Sequence, residues 1–186
     1  IYASSAYALS NKGSFYGISK QLSEKLTIEY QNKFNLKYTI IRYGSVYGER
    51  AYQNNYIYQL LYHAIKYGEL CFKGDGEDSR EFIHASDVAK LSVKVLKDKK
   101  FENKNVILTG MEKIKRIELL NMINEIMQNK FKIKQIKKKS TGHYKTTPYS
   151  YQPELAKKIF NNSYIDLGQG LVQCIKKINH DINNEK

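Results

Sequence analysis

The sequence predicts an α/β fold built on a parallel sheet, and three observations carry that expectation. Short apolar runs at Ile1–Ala6, Tyr38–Tyr43 and Asn105–Thr109 read as buried strands. Between the first two, Ile18, Leu22, Leu26, Tyr30 and Phe34 recur at every fourth residue, so Tyr16–Phe34 is an amphipathic helix. A strand, a helix and a second strand in that order suggest a right-handed βαβ unit.

The first strand ends in the small polar pair Ser4–Ser5, and Ala8–Phe15 is a polar loop. After the Tyr38–Tyr43 strand, whose apolar centre is Thr39–Ile41, Gly44 and Gly48 permit tight turns at its carboxyl end, where open α/β sheets bind ligands. Tyr56–Tyr67 is a helix with Ile57, Leu60, Leu61, Ala64 and Ile65 inward. Leu70–Phe72 is a brief strand, Gly74–Asp78 a turn, and Glu81–His84 a second short strand. Asp87 caps the helix that carries Val88, Ala89, Leu91, Val93, Val95 and Leu96. Gly110 closes the Asn105–Thr109 strand, and Glu118–Met127 is a helix. Phe131–Ile136 is a lysine-rich edge strand. Pro148 and Pro153 bracket a loop, Glu154–Phe160 is a short helix, and a last helix carries Leu167, Leu171, Ile175, Ile178 and Ile182 before Asn183–Lys186 frays. These helical stripes are read as core; the Ile18–Phe34 stripe is equally compatible with an interface.

The 186 residues suit one domain, or one domain with a small annex, and a 41% hydrophobic content supports a packed core. The net charge of +13 raises the question of nucleic acid. The lysines are dispersed, however, and the densest run is only Lys137–Lys139, so they read as a solvated surface whose field draws in anionic metabolites. Cys71 and Cys174 stand far apart, with neither metal-ligand spacing nor a disulfide framework, which fits a reducing cytosol. No apolar run approaches the roughly 20 residues of a membrane span, and no signal-peptide pattern is present. The chain begins without Met on a strand already under way, so an upstream portion is expected.

The chemistry centres on Tyr16-Gly17-Ile18-Ser19-Lys20. A Tyr and a Lys four apart share one helix face. A phenol normally titrates near pH ~10, and a close ammonium favours the phenolate. A phenolate can take a proton from an alcohol, which suits a general base for alcohol oxidation. A Ser hydroxyl from the preceding strand can hydrogen-bond the same substrate oxygen.

Four segments together resemble the extended short-chain dehydrogenase/reductase family, in its NAD-dependent nucleotide-sugar epimerase/dehydratase branch, which includes UDP-galactose 4-epimerases. They are Tyr2–Ala6, resembling the catalytic-Ser strand; Tyr16–Lys20; Ile40–Arg50, resembling the strand and loop after the active-site helix; and Gly74–Ala89, with its Gly-x-Gly, Arg80, Phe82-Ile83-His84 and Asp87-Val88-Ala89. The last is the most specific. The resemblance implies the C-terminal part of a Rossmann-type doubly wound parallel sheet plus a small α/β substrate-binding lobe. Residues 1–50, interleaved with 88–110, would be the partial Rossmann-like domain, and 51–87 with 111–186 the substrate lobe.

The same resemblance assigns roles. Tyr16 is the general base, and Lys20 assists it while hydrogen-bonding the nicotinamide ribose of NAD. Ser5 orients the sugar oxygen, and Tyr43 lines the nicotinamide pocket. Ser45 stands where the family usually has Asn for the substrate phosphates, and Asn54 or Asn55 matches an Asn that contacts the nucleotide-sugar. Cys71 and Lys73 lie where backbone groups hold the pyrimidine, and Arg80 matches an Arg paired with the diphosphate. His143, Tyr144 and Lys145 occupy the place of a second diphosphate-binding Arg, and Lys145 is the cation available there. His84 and Asp87 are read as structural.

The implied activity is NAD-dependent epimerisation of a nucleotide-diphosphate sugar through a keto-sugar, in the cytoplasm, by a homodimer when full length. Members often dimerise through two helices per subunit, one bearing the Tyr-x-x-x-Lys motif. Dehydratases of this branch place a carboxylate pair beside a Thr, whereas Ser5-Ala6-Tyr7 has no acid nearby, which favours an epimerase. The alternatives are a 4,6-dehydratase or reductase of the same branch, or an inactive dinucleotide-binding module. Two departures stand out. The connection from Ser5 to Tyr16 is shorter than is usual in the family, and no glycine-rich turn opens a helix after a first strand. These residues alone are therefore expected to be inactive and to hold NAD poorly.

Overall fold

The computed structural model describes residues 1–136, 144–147, 157–160 and 162–184. Lys137–Lys139, His143, Pro148 and Pro153 lie outside the described residues, as does the start of the helix expected over Glu154–Phe160.

The main sheet holds β1 (Tyr2–Ser5), β2 (Thr39–Tyr43), β6 (Lys104–Leu108) and β9 (Lys157–Lys158), in that order and all parallel. The register aligns Ser5 with Tyr43 and Tyr43 with Leu108, so the carboxyl ends of three strands finish level. Helix α1 (Ser14–Phe34) crosses from β1 to β2, as the sequence predicts. Three further strands, β3 (Ser45–Tyr47), β5 (Ser79–His84) and β7 (Lys113–Lys115), form a second sheet. A parallel pair, β4 (Glu69–Lys73) with β8 (Lys132–Ile136), forms a third. The α/β fold with its parallel sheet is as expected.

Two larger apolar clusters among the described residues build the core, beside a small one of Ala6, Ile107 and Tyr144. One gathers Ile41, Leu91, Val95, Val106 and Leu108 between the main sheet and α3 (Ala85–Lys97). The larger joins α2 (Tyr56–Tyr67), α4 (Arg116–Ile126) and α5 (Leu167–Asn184) through Leu61, Leu120, Ile123 and Leu171. Gly110 marks a close approach between β6 and β5: a Cβ there would stand 2.1 Å from the Phe82 carbonyl oxygen, so no larger residue fits without moving backbone.

Several expectations are corrected. The stripe on α1 is not core, because Ile18, Leu22, Leu26 and Phe34 are 54–64% exposed. The helix turns its polar side to the sheet instead, since buried Glu24 meets Arg42 of β2 and Ser4 of β1 there. Of the apolar residues on α3 only Leu91 and Val95 are fully buried, while Val93 and Leu96 are exposed. Its cap is His84, which accepts from Ser86 N; Asp87 is buried and accepts from Ile165 N at 2.7 Å. Lys157–Lys158 is a strand rather than helix, because the free edge of β6 takes it up and Lys158 Nζ pairs with buried Glu81 at 2.8–2.9 Å.

Candidate functional site

A cleft of about 820 Å³ opens where β1 and β2 end and faces β4, β5 and α4. Ser5, Tyr43, Ser45, Asn54, Asn55, Cys71, Lys73 and Arg80 all line it. Eight sequence-predicted residues, drawn from positions 5 to 80, thus converge on one concavity, as expected for a ligand site. Tyr16, Lys20 and Lys145 are not among the lining residues.

At the sheet end, Ser5 is buried, and its hydroxyl accepts from Tyr7 N at 3.3 Å, capping the 3₁₀ turn Ala6–Leu9. That turn places Tyr7 in the cleft wall. Tyr16, in the first turn of α1, meets the Tyr7 ring edge-on with centroids 6.0 Å apart, so Tyr7 stands between it and the cleft. Gly17 lets the Lys12 backbone pass close to this first turn: a Cβ there would lie 2.5 Å from the Lys12 carbonyl oxygen. Lys20 Nζ lies 5.6 Å from the Tyr16 ring centroid, on the same face, and donates to the Ala3 carbonyl at 2.9 Å. Tyr43 spends its hydroxyl on Ser92 Oγ at 3.0 Å, so it is a wall rather than a donor to a ligand.

Tyr7 also packs on Tyr144, with centroids 5.1 Å apart. Burial raises both phenols, Tyr144 to about 12, while Arg80 pulls each the other way. Both therefore stay protonated at neutral pH.

At the lobe end, Arg80 stacks over Tyr144 at 4.6 Å and donates from Nη1 to the Ser79 and Tyr144 carbonyls, each at 3.0 Å. Its Nη2 lies 3.6 Å from Asp78 Oδ2. Asn55 is committed to structure: it caps α2 by accepting from Ile57 N and Tyr58 N, and donates to the Val46 carbonyl. Asn54 stays exposed in the cleft. Cys71 is half-buried and Lys73 exposed there. Lys145 lies apart, 84% exposed and paired with Asp75 at 3.5 Å.

Sequence reasoning missed Arg116, which lines the cleft and binds Asp78 Oδ2 at 2.6 Å. The available signal was its place, a cation in the first turn of a helix, where acids are favoured. Among the described residues, no helix is long and apolar enough to cross a membrane, and no His, Cys, Asp and Glu cluster suits a metal ion.

The sequence profile of the NAD dependent epimerase/dehydratase family matches residues 3–109. A Bacillus subtilis protein named as an uncharacterized UDP-glucose epimerase is 29% identical over 115 residues, covering 62% of this chain and 36% of that protein. A Streptomyces dTDP-4-dehydro-6-deoxy-D-allose reductase is 28% identical over 116 residues, covering 60% and 35%. Among solved structures, UDP-glucuronic acid 4-epimerase from Bacillus cereus, crystallised with UDP-glucuronic acid and NAD, superposes with a TM-score of 0.79 at 21% identity. That match covers 96% of this chain and 60% of the solved one, so the chain spans little more than half of such an enzyme. With over half of its length matched by the profile, and with that architecture, the chain belongs to the NAD dependent epimerase/dehydratase family.

Proposed function

We propose that this chain is the substrate-binding part and active-site helix of an NAD-dependent epimerase acting on a nucleotide-diphosphate sugar. The observation that carries the reading is the single cleft shared by Ser5 at the sheet end and Arg80 at the lobe end, about 820 Å³ in volume. That is room for a sugar against the sheet and a nucleotide against the lobe, residues 51–87 and 111–186.

The residues present suit the nicotinamide end of NAD: three strand ends lie level, and Ser5, Tyr43 and Gly44 at two of those ends line the cleft. The 186 residues contain no glycine-rich turn for the pyrophosphate. When bound, NAD supplies the acceptor and then the donor of a hydride. Tyr16 takes the proton from the sugar hydroxyl and returns it after the keto-sugar has turned over. Lys20 holds the ribose beside Tyr16, and Ser5 orients the sugar oxygen. Cys71 and Lys73 border the base, while Ser45, Asn54 and Arg80 take the phosphates and sugar.

Asp78 is the one acid lining the cleft among the described residues, and it belongs to the lobe end. Among the described residues no carboxylate lines the cleft beside Ser5, where a dehydratase would need its elimination acid and base, and this supports epimerisation. The reductase relative keeps a one-way reduction as the second reading. Incubating the intact protein with NAD and UDP- or dTDP-sugars is expected to yield the epimer with no net NADH. Accumulation of a 4-keto-6-deoxy sugar, or consumption of added NADH, would turn the assignment to dehydratase or reductase.

The apolar stripe of α1 supports self-association. Ile18, Leu22, Leu26, Tyr30 and Phe34 form a continuous exposed face, which a second copy would cover. Light scattering is expected to give a dimer that Leu26→Asp converts to monomer; a monomeric wild type would refute this.

A further inference from the structure

We propose that Arg116 is the second diphosphate-holding cation of the cleft, acting with Arg80 as two guanidiniums that share Asp78 while no anion is bound. The proposal rests on the nucleotide-diphosphate-sugar reading and adds to it a residue outside the motif-bearing segments.

Three observations carry it. The first is charge. Arg116 Nη2 and Arg80 Nη2 converge on one oxygen of Asp78, at 2.6 and 3.6 Å, and the three side chains are only 13–15% exposed. Two cations against one anion leave a positive charge in excess in a poorly solvated place. Such an excess is costly until an anion enters. Lys73, also in the cleft wall, adds to it.

The second is placement. Arg116 is the first residue of α4, where a cation opposes the helix dipole and an anion is favoured. Backbone bonds hold it there: Arg116 N donates to Asp78 O at 2.9 Å and Ile117 N to Gly76 O at 3.1 Å. The Gly76–Asp78 turn and the start of α4 therefore form one unit, and the Tyr56 ring backs the guanidinium at 5.6 Å.

The third is capacity. Arg80 has already spent Nη1 on two carbonyls and its face on Tyr144. Arg116 in turn gives Nη1 to the Lys73 carbonyl at 3.3 Å and Nη2 to Asp78, so each guanidinium has donors to spare but neither is wholly free, and a diphosphate with two charged groups calls on the pair. Lys145, the cation expected for this task, points to Asp75 outside the cleft.

The test is calorimetric titration of the intact protein with UDP and dTDP, and with uridine and thymidine. Wild type is expected to prefer the diphosphate. Arg116→Gln is expected to weaken the diphosphate about tenfold or more, the worth of a charge-assisted hydrogen bond, and to leave the nucleoside unchanged. Arg116→Lys keeps the charge and loses the fork. It decides the matter should Arg116→Gln not fold, with a diphosphate-specific loss again expected. Unchanged diphosphate affinity in either variant would overturn the proposal, as would an equal loss for nucleoside and diphosphate, which marks a merely structural pair. A wild type with no preference for diphosphate would instead bring down the underlying reading, and this proposal with it.

Discussion

Glu24→Ala is expected to cost the fold about 3–5 kcal/mol, the usual penalty for leaving one member of a buried ion pair without its partner. Arg42 donates to both Glu24 oxygens, Nε at 2.9 Å and Nη2 at 2.7 Å, and Ser4 Oγ adds a third hydrogen bond at 2.5 Å. The side chains are 7% and 10% exposed, so water cannot replace the lost carboxylate. Lys177 and Asp181 form the contrasting pair, four apart on the surface of α5 and both about 40% exposed, and losing Asp181 is expected to leave the unfolding midpoint almost unmoved. Urea unfolding of the two variants separates these cases. Equal midpoints would show the buried pair to be worth no more than the surface one. The double replacement Glu24→Leu with Arg42→Met is expected to recover most of the loss, since apolar side chains of similar size incur no desolvation cost. The pair also bears on the site. Ser4 and Arg42 immediately precede Ser5 and Tyr43, so the bond that ties α1 to the sheet also sets Tyr16 relative to the ligand-facing ends of two strands.

The α1 helix shows why sequence legibility had a limit. Its four-residue period predicts a helix with one apolar face, and the helix is there. Periodicity carries no information about which face is wet. That was decided by a pairing between positions 24 and 42, on elements that the pattern alone does not bring together. Local signals did better where the chemistry was local: α2 begins and ends at Tyr56 and Tyr67, with Asn55 capping one end and Gly68 in a left-handed conformation at the other. Lys157–Lys158 has no strand propensity of its own and is extended because the open edge of β6 takes it up. The cleft was legible through Arg80 and its flanking motif, whereas Arg116 was not. Its one signal, a cation in the first turn of a helix, does not say what it faces, and only the fold brings it to Asp78.

Tyr16→Phe in the intact protein is expected to lower turnover about 10²–10⁴-fold, the typical worth of a positioned general base. It should leave nucleotide-sugar affinity intact, because the ring and its edge contact with Tyr7 survive while only the hydroxyl is lost. Tyr7→Phe is the informative companion. Tyr7 stands nearer the sugar end, being part of the cleft wall, so proximity alone would favour it as the base. Burial raises its phenol, however, which keeps it protonated at neutral pH and unable to accept a proton there. Tyr16 is 51% exposed and has Lys20 one turn along, with Nζ 5.6 Å from its ring centroid. Tyr7→Phe is accordingly expected to cost less than tenfold in turnover, a loss of packing and orientation rather than of proton transfer. The opposite ranking in steady-state rates, with Tyr7→Phe nearly dead and Tyr16→Phe nearly normal, would move the proton transfer to the 3₁₀ turn. The shared helix face of Tyr16 and Lys20 would then be a feature of folding alone.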